Sequence, residues 1–426
     1  MLLAFALAGA VVSAAPATPM TLAQAIDFAE AHNQSVLSAR AQWVAAGSSL
    51  ARDRANQLPL VQGVAQNTLS RSGNAGPQST GIASLPNYAN NTTELLGSQS
   101  VYNLQNELLA NQSRHAYDQA AQNLRLVREQ TTVSVETSFY NYVQNVDLVA
   151  IAQADLQYQN ALFQIADANY KSGRVAGIDR LKAQVQVTSS EESLASAQAD
   201  AEDSRENLAQ LIGADATQQF VVPAAIPAPP APSTDQKALL AIALANRPDI
   251  AIERDGLDID VLANGLIDAP NRPTVALQGG TGAEATPTLG IPSTHFYSIQ
   301  LTSTLSLPLL DWGTLHSAHK SEHAAIDAAS AALDAARRQA AIDVDQAVRR
   351  LKVDEQNLTL ATQNADVAKQ AAQISQVQYK VGLGSQTDVQ SAEQTYLQAA
   401  KQLLAAQIGY VLQIDKLKQA TGTLVN

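Results

Sequence analysis

Between Ser298 and Leu309 polar and apolar residues alternate. Ile299, Leu301, Leu305 and Leu307 share one face, interrupted by Ser303, while Ser298, Gln300, Thr302, Thr304 and Ser306 share the other. A period of two predicts a strand with one apolar and one polar side, long enough to cross a bilayer when tilted. Thr274 to Gly280 precedes it across a Gly/Pro/Thr loop, so a hairpin is expected over about 273–309. A weaker counterpart lies at about 59–103, where Leu60 to Leu69 and Thr92 to Tyr102 flank a stretch rich in Gly, Ser, Asn and Pro. A sheet covering a soluble core would alternate in the same way, so the strands alone leave both readings open.

The helical stretches carry the other pattern. Thr21 is placed to cap a first helix with Leu22, Ala25, Ile26 and Ala29 at helical spacing, and a second runs from about Val36 to Asn56, before Pro59. Asn103 to Tyr170 and Asp311 to Tyr379 contain no proline and only Gly313 as glycine. Nearly seventy residues of helix would extend roughly 100 Å, which no compact domain holds. Leu124, Val127, Thr131, Val135, Tyr142, Val146 and Val149 mix spacings of three and four, as a packing seam does. The alanines from Ala324 to Ala336 cover more than one face, which suits a helix with a neighbour on each side.

Each long stretch ends in a matching reversal. Tyr170-Lys171-Ser172-Gly173 with Asp179 and Tyr379-Lys380-Val381-Gly382 with Asp388 are offset throughout by 209 residues. The chain is therefore a duplication: a first repeat at 16–222 with its tip at about 170–179, and a second at 235–426 with its tip at about 379–388. Return helices follow from Asp179 to about Ile212 and from Asp388 to about Ala420. Five prolines in 223–234 make a stiff connector between the repeats.

Aromatic residues are only 4%, which suits close-packed alanine-rich helices better than bulky cores. A net charge of −12 disfavours nucleic acid as a partner. The absence of cysteine excludes disulfides, thiolate chemistry and Cys-bound metals. Residues 1–15 are apolar and small up to Val12-Ser13-Ala14-Ala15, as in an export signal; no basic leader precedes them, as expected if the true start lies upstream. No other apolar run approaches the ~20 residues of a membrane helix, so a membrane-embedded part would have to be a β-barrel. A single four-stranded piece leaves open edges, so barrel closure would need several chains.

The order of parts, given twice, resembles the TolC-like outer-membrane efflux proteins. The markers are Asn246-Arg247-Pro248-Asp249-Ile250, the junction Leu307-Pro308-Leu309-Leu310-Asp311-Trp312-Gly313, and the two YxxG reversals. The resemblance covers essentially the whole mature chain. It implies a mainly α fold with a small β part, in which long helices form an α-helical barrel continuous with a 12-stranded transmembrane β-barrel, four strands from each chain of a homotrimer. It also implies an exit duct for efflux or type I secretion, in the outer membrane of a diderm bacterium with a long periplasmic extension. Its partners would be a periplasmic adaptor protein, an inner-membrane transporter and outer-membrane lipid.

Residue by residue, the resemblance assigns adaptor docking to Gly173, Val381, Gly382 and Leu383, a closed-state lock to Tyr379 with Asp179, and an acidic constriction ring to Asp388. Gly384 stands where a locking arginine is expected and Ser391 where a second ring aspartate is expected, so one lock and one ring lack the residue the resemblance calls for. An acid opening a helix also caps it, so Asp179 and Asp388 carry a structural reading beside the functional one. His316, His319 and His323 share one helix face at a spacing that could hold a metal, although a solvated face explains them as well. No phosphate loop, GxSxG or HExxH motif is present, so no enzyme and no cofactor are expected. The competing reading is an exported, elongated coiled-coil protein, structural or adhesive, without a pore.

Overall fold

A computed structural model describes residues 19–71, 87–173, 176–227, 229–285, 294–381 and 383–424. The expected export signal at 1–15 and the expected docking glycine Gly382 lie outside these residues. The elements in order are α1 (Leu22–His32), α2 (Gln34–Ala55), β1 (Leu60–Arg71), β2 (Asn87–Tyr102), α3 (Leu104–Lys171), α4 (Gly177–Ile212), α5 (Gln236–Asn246), α6 (Pro248–Asp268), a 3-10 turn (Ala269–Asn271), β3 (Thr274–Ala285), β4 (Thr294–Thr304), α7 (Thr314–Lys380) and α8 (Gln386–Ala420). The chain divides into two units: Met1–Ala41, Asn123–Ile250 and Ala336–Asn426 form one, Gln42–Gln122 and Ala251–Ala335 the other.

The second of these units holds the strands, an antiparallel sheet in the order β1-β2-β3-β4. The register pairs Val61 with Gly97, Gly97 with Gly279, and Gly279 with Ile299. Because side chains alternate along each strand, Val61, Leu95, Leu277, Tyr297, Ile299 and Leu301 share one face. That face is open, and Ile299 is 89% exposed. The opposite face carries Gln62, Glu94, Ser98, Gln278, Ser298 and Gln300. Among the described residues β1 and β4 each keep one unpaired edge.

The alternating pattern runs five residues past the strand. β4 ends at Thr304, and residues 305–309 lead without ladder pairing to the start of α7. Pro308 has no N–H for a ladder and restricts the residue before it. Asp311 then opens the helix: its carboxylate accepts from the N–H groups of Gly313 and Leu315, both at 3.1 Å. Alternation reports which way side chains point, not whether a backbone partner is present.

Helices in this unit follow the strand order. α2 meets α3 through Trp43 stacked on Tyr117, with ring centroids 5.7 Å apart, and through the Ser113 hydroxyl donating to Asp53. α3 meets α6 where Gln119 Nε2 donates to the Ile252 carbonyl at 3.1 Å. α6 meets α7 through His319, whose two ring nitrogens lie 2.9 Å from Asn264 Oδ1 and 3.0 Å from Asp268 Oδ1. The alanines Ala324, Ala328, Ala331, Ala332 and Ala335, expected to be covered, are exposed in the single chain.

The other unit shows the duplication in its cores. One cluster holds Val135, Phe139, Tyr142 and Leu208; the second holds Val344, Val348, Leu351 and Leu417, each 209 residues later. Tyr140 packs with Leu404, Ile408 and Val411, which ties α3 of the first repeat to α8 of the second. Both return helices end alike. Gly213 (φ 79°) and Gly422 (φ 66°) are left-handed, and a Cβ at either would lie 2.9 Å from backbone atoms, those of His32 or those of Asn246 and Arg247. The joint between the short helices then satisfies terminal carbonyls, Asn33 Nδ2 donating to Leu211 O at 2.8 Å and Arg247 Nη1 to Ala420 O at 3.4 Å.

Candidate functional site at the helix reversals

The two reversals share a sequence pattern but are built differently. At the first, Gly173 takes φ 71° and its N–H donates to Tyr170 O at 2.9 Å. Helix α4 opens at Gly177 after Ala176, which offers no capping side chain. The reversal is instead stapled by charge. Asp167 on α3 accepts from Arg180 Nε at 2.7 Å and pairs with Lys171 at 2.6 Å. The Arg180 guanidinium also lies about 6 Å from the ring centroids of Phe163 and Tyr170, at 6.0 and 5.9 Å. Hydrogen bonds from Lys171 and then Arg180 hold the Asp167 carboxyl below its ordinary range.

At the second reversal the counterparts of Asp167 and Arg180 are Gln376 and Val389, so no such staple can form. A reciprocal cap replaces it. Ser385 Oγ accepts from the Asp388 N–H at 3.1 Å, while Asp388 Oδ2 accepts from Ser385 Oγ at 2.7 Å and from its N–H at 3.2 Å. The Ser385 hydroxyl and then its backbone N–H hold the Asp388 carboxyl low, so it stays ionised at an exposed position. The chain leaves α7 through Leu383 N–H donating to Gln378 O at 2.9 Å, which presents Val381 (64% exposed) and Leu383 (82% exposed) outward.

Among the described residues, the capping role expected of both aspartates is met by Asp388 alone. Asp179 sits in the first turn of α4, where it favours the helix dipole but makes no capping bond. Asp179 and Tyr379 are both half-buried. No hydrogen bond joins them, yet the negative charge of Asp179, after burial, pushes the Tyr379 phenol up. The two groups are thus electrostatic neighbours on opposite reversals.

The three candidate histidines do not converge on a common point among the described residues. His316 and His323 are exposed, and His319 is engaged by α6. The sequence reading passed over Arg180, Asp167 and Ser385. Ser385-x-x-Asp388 is a capping pattern open to sequence inspection. The Asp167 to Arg180 contact is not, because it spans the reversal. Among the described residues no helix is long and apolar enough to cross a membrane.

A family profile described as "Outer membrane efflux protein" matches residues 25–214 and 239–423. The chain belongs to the outer membrane efflux protein family. Solved structures share its fold throughout. VceC of Vibrio cholerae has a TM-score of 0.78 at 20% identity, covering 94% of this chain and 96% of that one. CmeC of Campylobacter jejuni has a TM-score of 0.79 at 18% identity, covering 95% and 86%. MtrE of Neisseria gonorrhoeae, solved in an open state, has a TM-score of 0.74 at 20% identity, covering 95% and 89%. No curated protein sequence matches the chain.

Membership makes this efflux protein an outer-membrane channel, not an enzyme and not a pore-less rod. It works with adaptor and inner-membrane pump partners, and its helices extend into the periplasm. The profile's two matched segments fall one in each repeat.

Proposed function

We propose that this efflux protein acts as a homotrimeric duct whose periplasmic end is shut at the two reversals and opened by an adaptor. The observation that carries the trimer is the four-stranded sheet, apolar and open on one face, polar on the other, with a free edge at β1 and at β4. Lipid can cover the apolar face but cannot satisfy the edge N–H and C=O groups, so further copies must close the sheet into a barrel. Three copies of four strands give the 12 strands the family resemblance implies. On α7, Val353, Leu360, Val367 and Ile374 are all exposed at intervals of seven. Such a heptad stripe needs a neighbouring helix, and a second copy supplies it.

At the closed end, Tyr379 and Asp179 form the lock and Asp388, ionised and exposed, supplies one charge per chain to an acidic ring that attracts cations. Gly173, Val381 and Leu383, with Gly382, form the adaptor-docking tips. Size-exclusion chromatography with light scattering, on protein extracted in detergent, tests the assembly. A trimer that runs as one species until heated is expected, and a salt-soluble monomer would sink the reading.

A further inference from the structure

In the strand-bearing unit, α3 and α6 are joined by a set of side chains that the efflux function does not use. His115 projects from α3. Asp255 and Asp258 lie three positions apart on α6, so both carboxylates occupy one face of that helix. His115 Nδ1 stands 3.2 Å from Asp255 Oδ1 and 3.7 Å from Asp258 Oδ2. One donor atom from each of the three lies within 4.8 Å of the others. All three side chains are partly buried, at 31%, 18% and 46% exposure.

We propose that His115, Asp255 and Asp258 form a divalent transition-metal site, best suited to Zn2+, that clips the first repeat to the second. A simple ion pair explains less of the geometry. Nδ1 carries at most one N–H, and Asp255 at 3.2 Å satisfies it. Asp258 Oδ2 at 3.7 Å is beyond hydrogen-bond reach yet is held toward the same nitrogen. Two carboxylates one turn apart also repel unless a cation lies between them.

The spacing fits coordination. Zn2+ binds imidazole nitrogen and carboxylate oxygen at about 2.0–2.2 Å, which puts neighbouring donors of a tetrahedral site roughly 3.3–3.6 Å apart. The two separations from Nδ1 bracket that range, and all three donor atoms already lie within 4.8 Å of one another. One nitrogen and two oxygens favour Zn2+ over Mg2+, which demands octahedral oxygen and keeps its waters. Asp258, the most exposed of the three, marks the side on which a water would complete the sphere. One helical turn along, the hydrogen bond from Gln119 to the Ile252 carbonyl fixes α3 against α6, so the donors are presented by rigid elements.

The test uses full-length protein in detergent, stripped with chelator and titrated calorimetrically with Zn2+, then with Mg2+. One Zn2+ per chain is expected, with affinity at least tenfold above that for Mg2+ and a rise in melting temperature on Zn2+ addition. His115→Ala and Asp258→Asn should each weaken Zn2+ binding at least tenfold and remove the temperature rise. Asp258→Asn removes no hydrogen bond, so its fold is expected to stay intact, and a protonated ion pair alone predicts that it leaves Zn2+ affinity unchanged. Absence of saturable Zn2+ binding, or affinity unaltered in both variants, overturns the proposal.

Discussion

Arg180 Nε on α4 lies 2.7 Å from Asp167 Oδ1 on α3, while 209 residues later the same two places hold Val389 and Gln376. One reversal is stapled by an ion pair between its two helices; the other relies on a cap inside a single helix. The duplicated tips are thus mechanically unequal. Arg180→Ala should speed amide hydrogen exchange in residues 164–173 and leave the α7–α8 reversal unaffected. Asp167 is held below its ordinary range, so this protection is present at neutral pH and is lost as acid protonates it. Exchange in residues 164–173 of the variant equal to that of the unaltered protein would contradict the asymmetry.

Ser385→Ala removes the cap of α8 and should cost about 1 kcal/mol of local helix stability. Asp388 then loses the hydroxyl that holds its carboxyl low. An upward shift of the Asp388 titration, followed by carboxyl NMR on selectively labelled protein, is the expected result. No shift would mean that the Ser385 hydroxyl does not set it.

Tyr379 and Asp179 are electrostatic neighbours without a hydrogen bond between them. If they form the lock, the double variant Tyr379→Phe, Asp179→Ala should raise single-channel conductance in planar bilayers several-fold. Conductance equal to that of the unaltered channel would remove the pair as a lock.

Glu136 is buried on α3, and its Oε2 has no hydrogen-bond partner. Burial first, and the Asp415 charge second, push its carboxyl up to about 7, against the pull of Lys418. The folded protein therefore binds this proton more tightly than the unfolded chain. The resulting stability is present below the ordinary glutamate range and is lost as pH rises through about 7. Glu136→Gln should flatten the fall in melting temperature between pH 5 and 8 and stabilise the protein at pH 8 by on the order of 1–3 kcal/mol. An unchanged slope would show that Glu136 is ionised without cost.

Gly213→Ala and Gly422→Ala should each destabilise the protein by more than about 1 kcal/mol, because each forces a Cβ into left-handed backbone and against the neighbouring chain. Chemical denaturation of the two variants measures this. A cost at only one of them would show that the joints of the two repeats are not equivalent.

The sequence by itself determined the periodic features. The 209-residue offset, the uninterrupted helices and the two reversals follow from spacing and from the positions of proline and glycine, which act locally. The apolar face of the sheet was legible for the same reason, since alternation is a property of one strand. Contacts that cross elements were not legible. The end of β4 at Thr304, the Asp167 to Arg180 staple and the convergence of His115 with Asp255 and Asp258 depend on which backbone or side chain stands opposite. The tertiary structure alone decided that two reversals of one pattern close by different forces, because ion pairs form between residues that folding brings together.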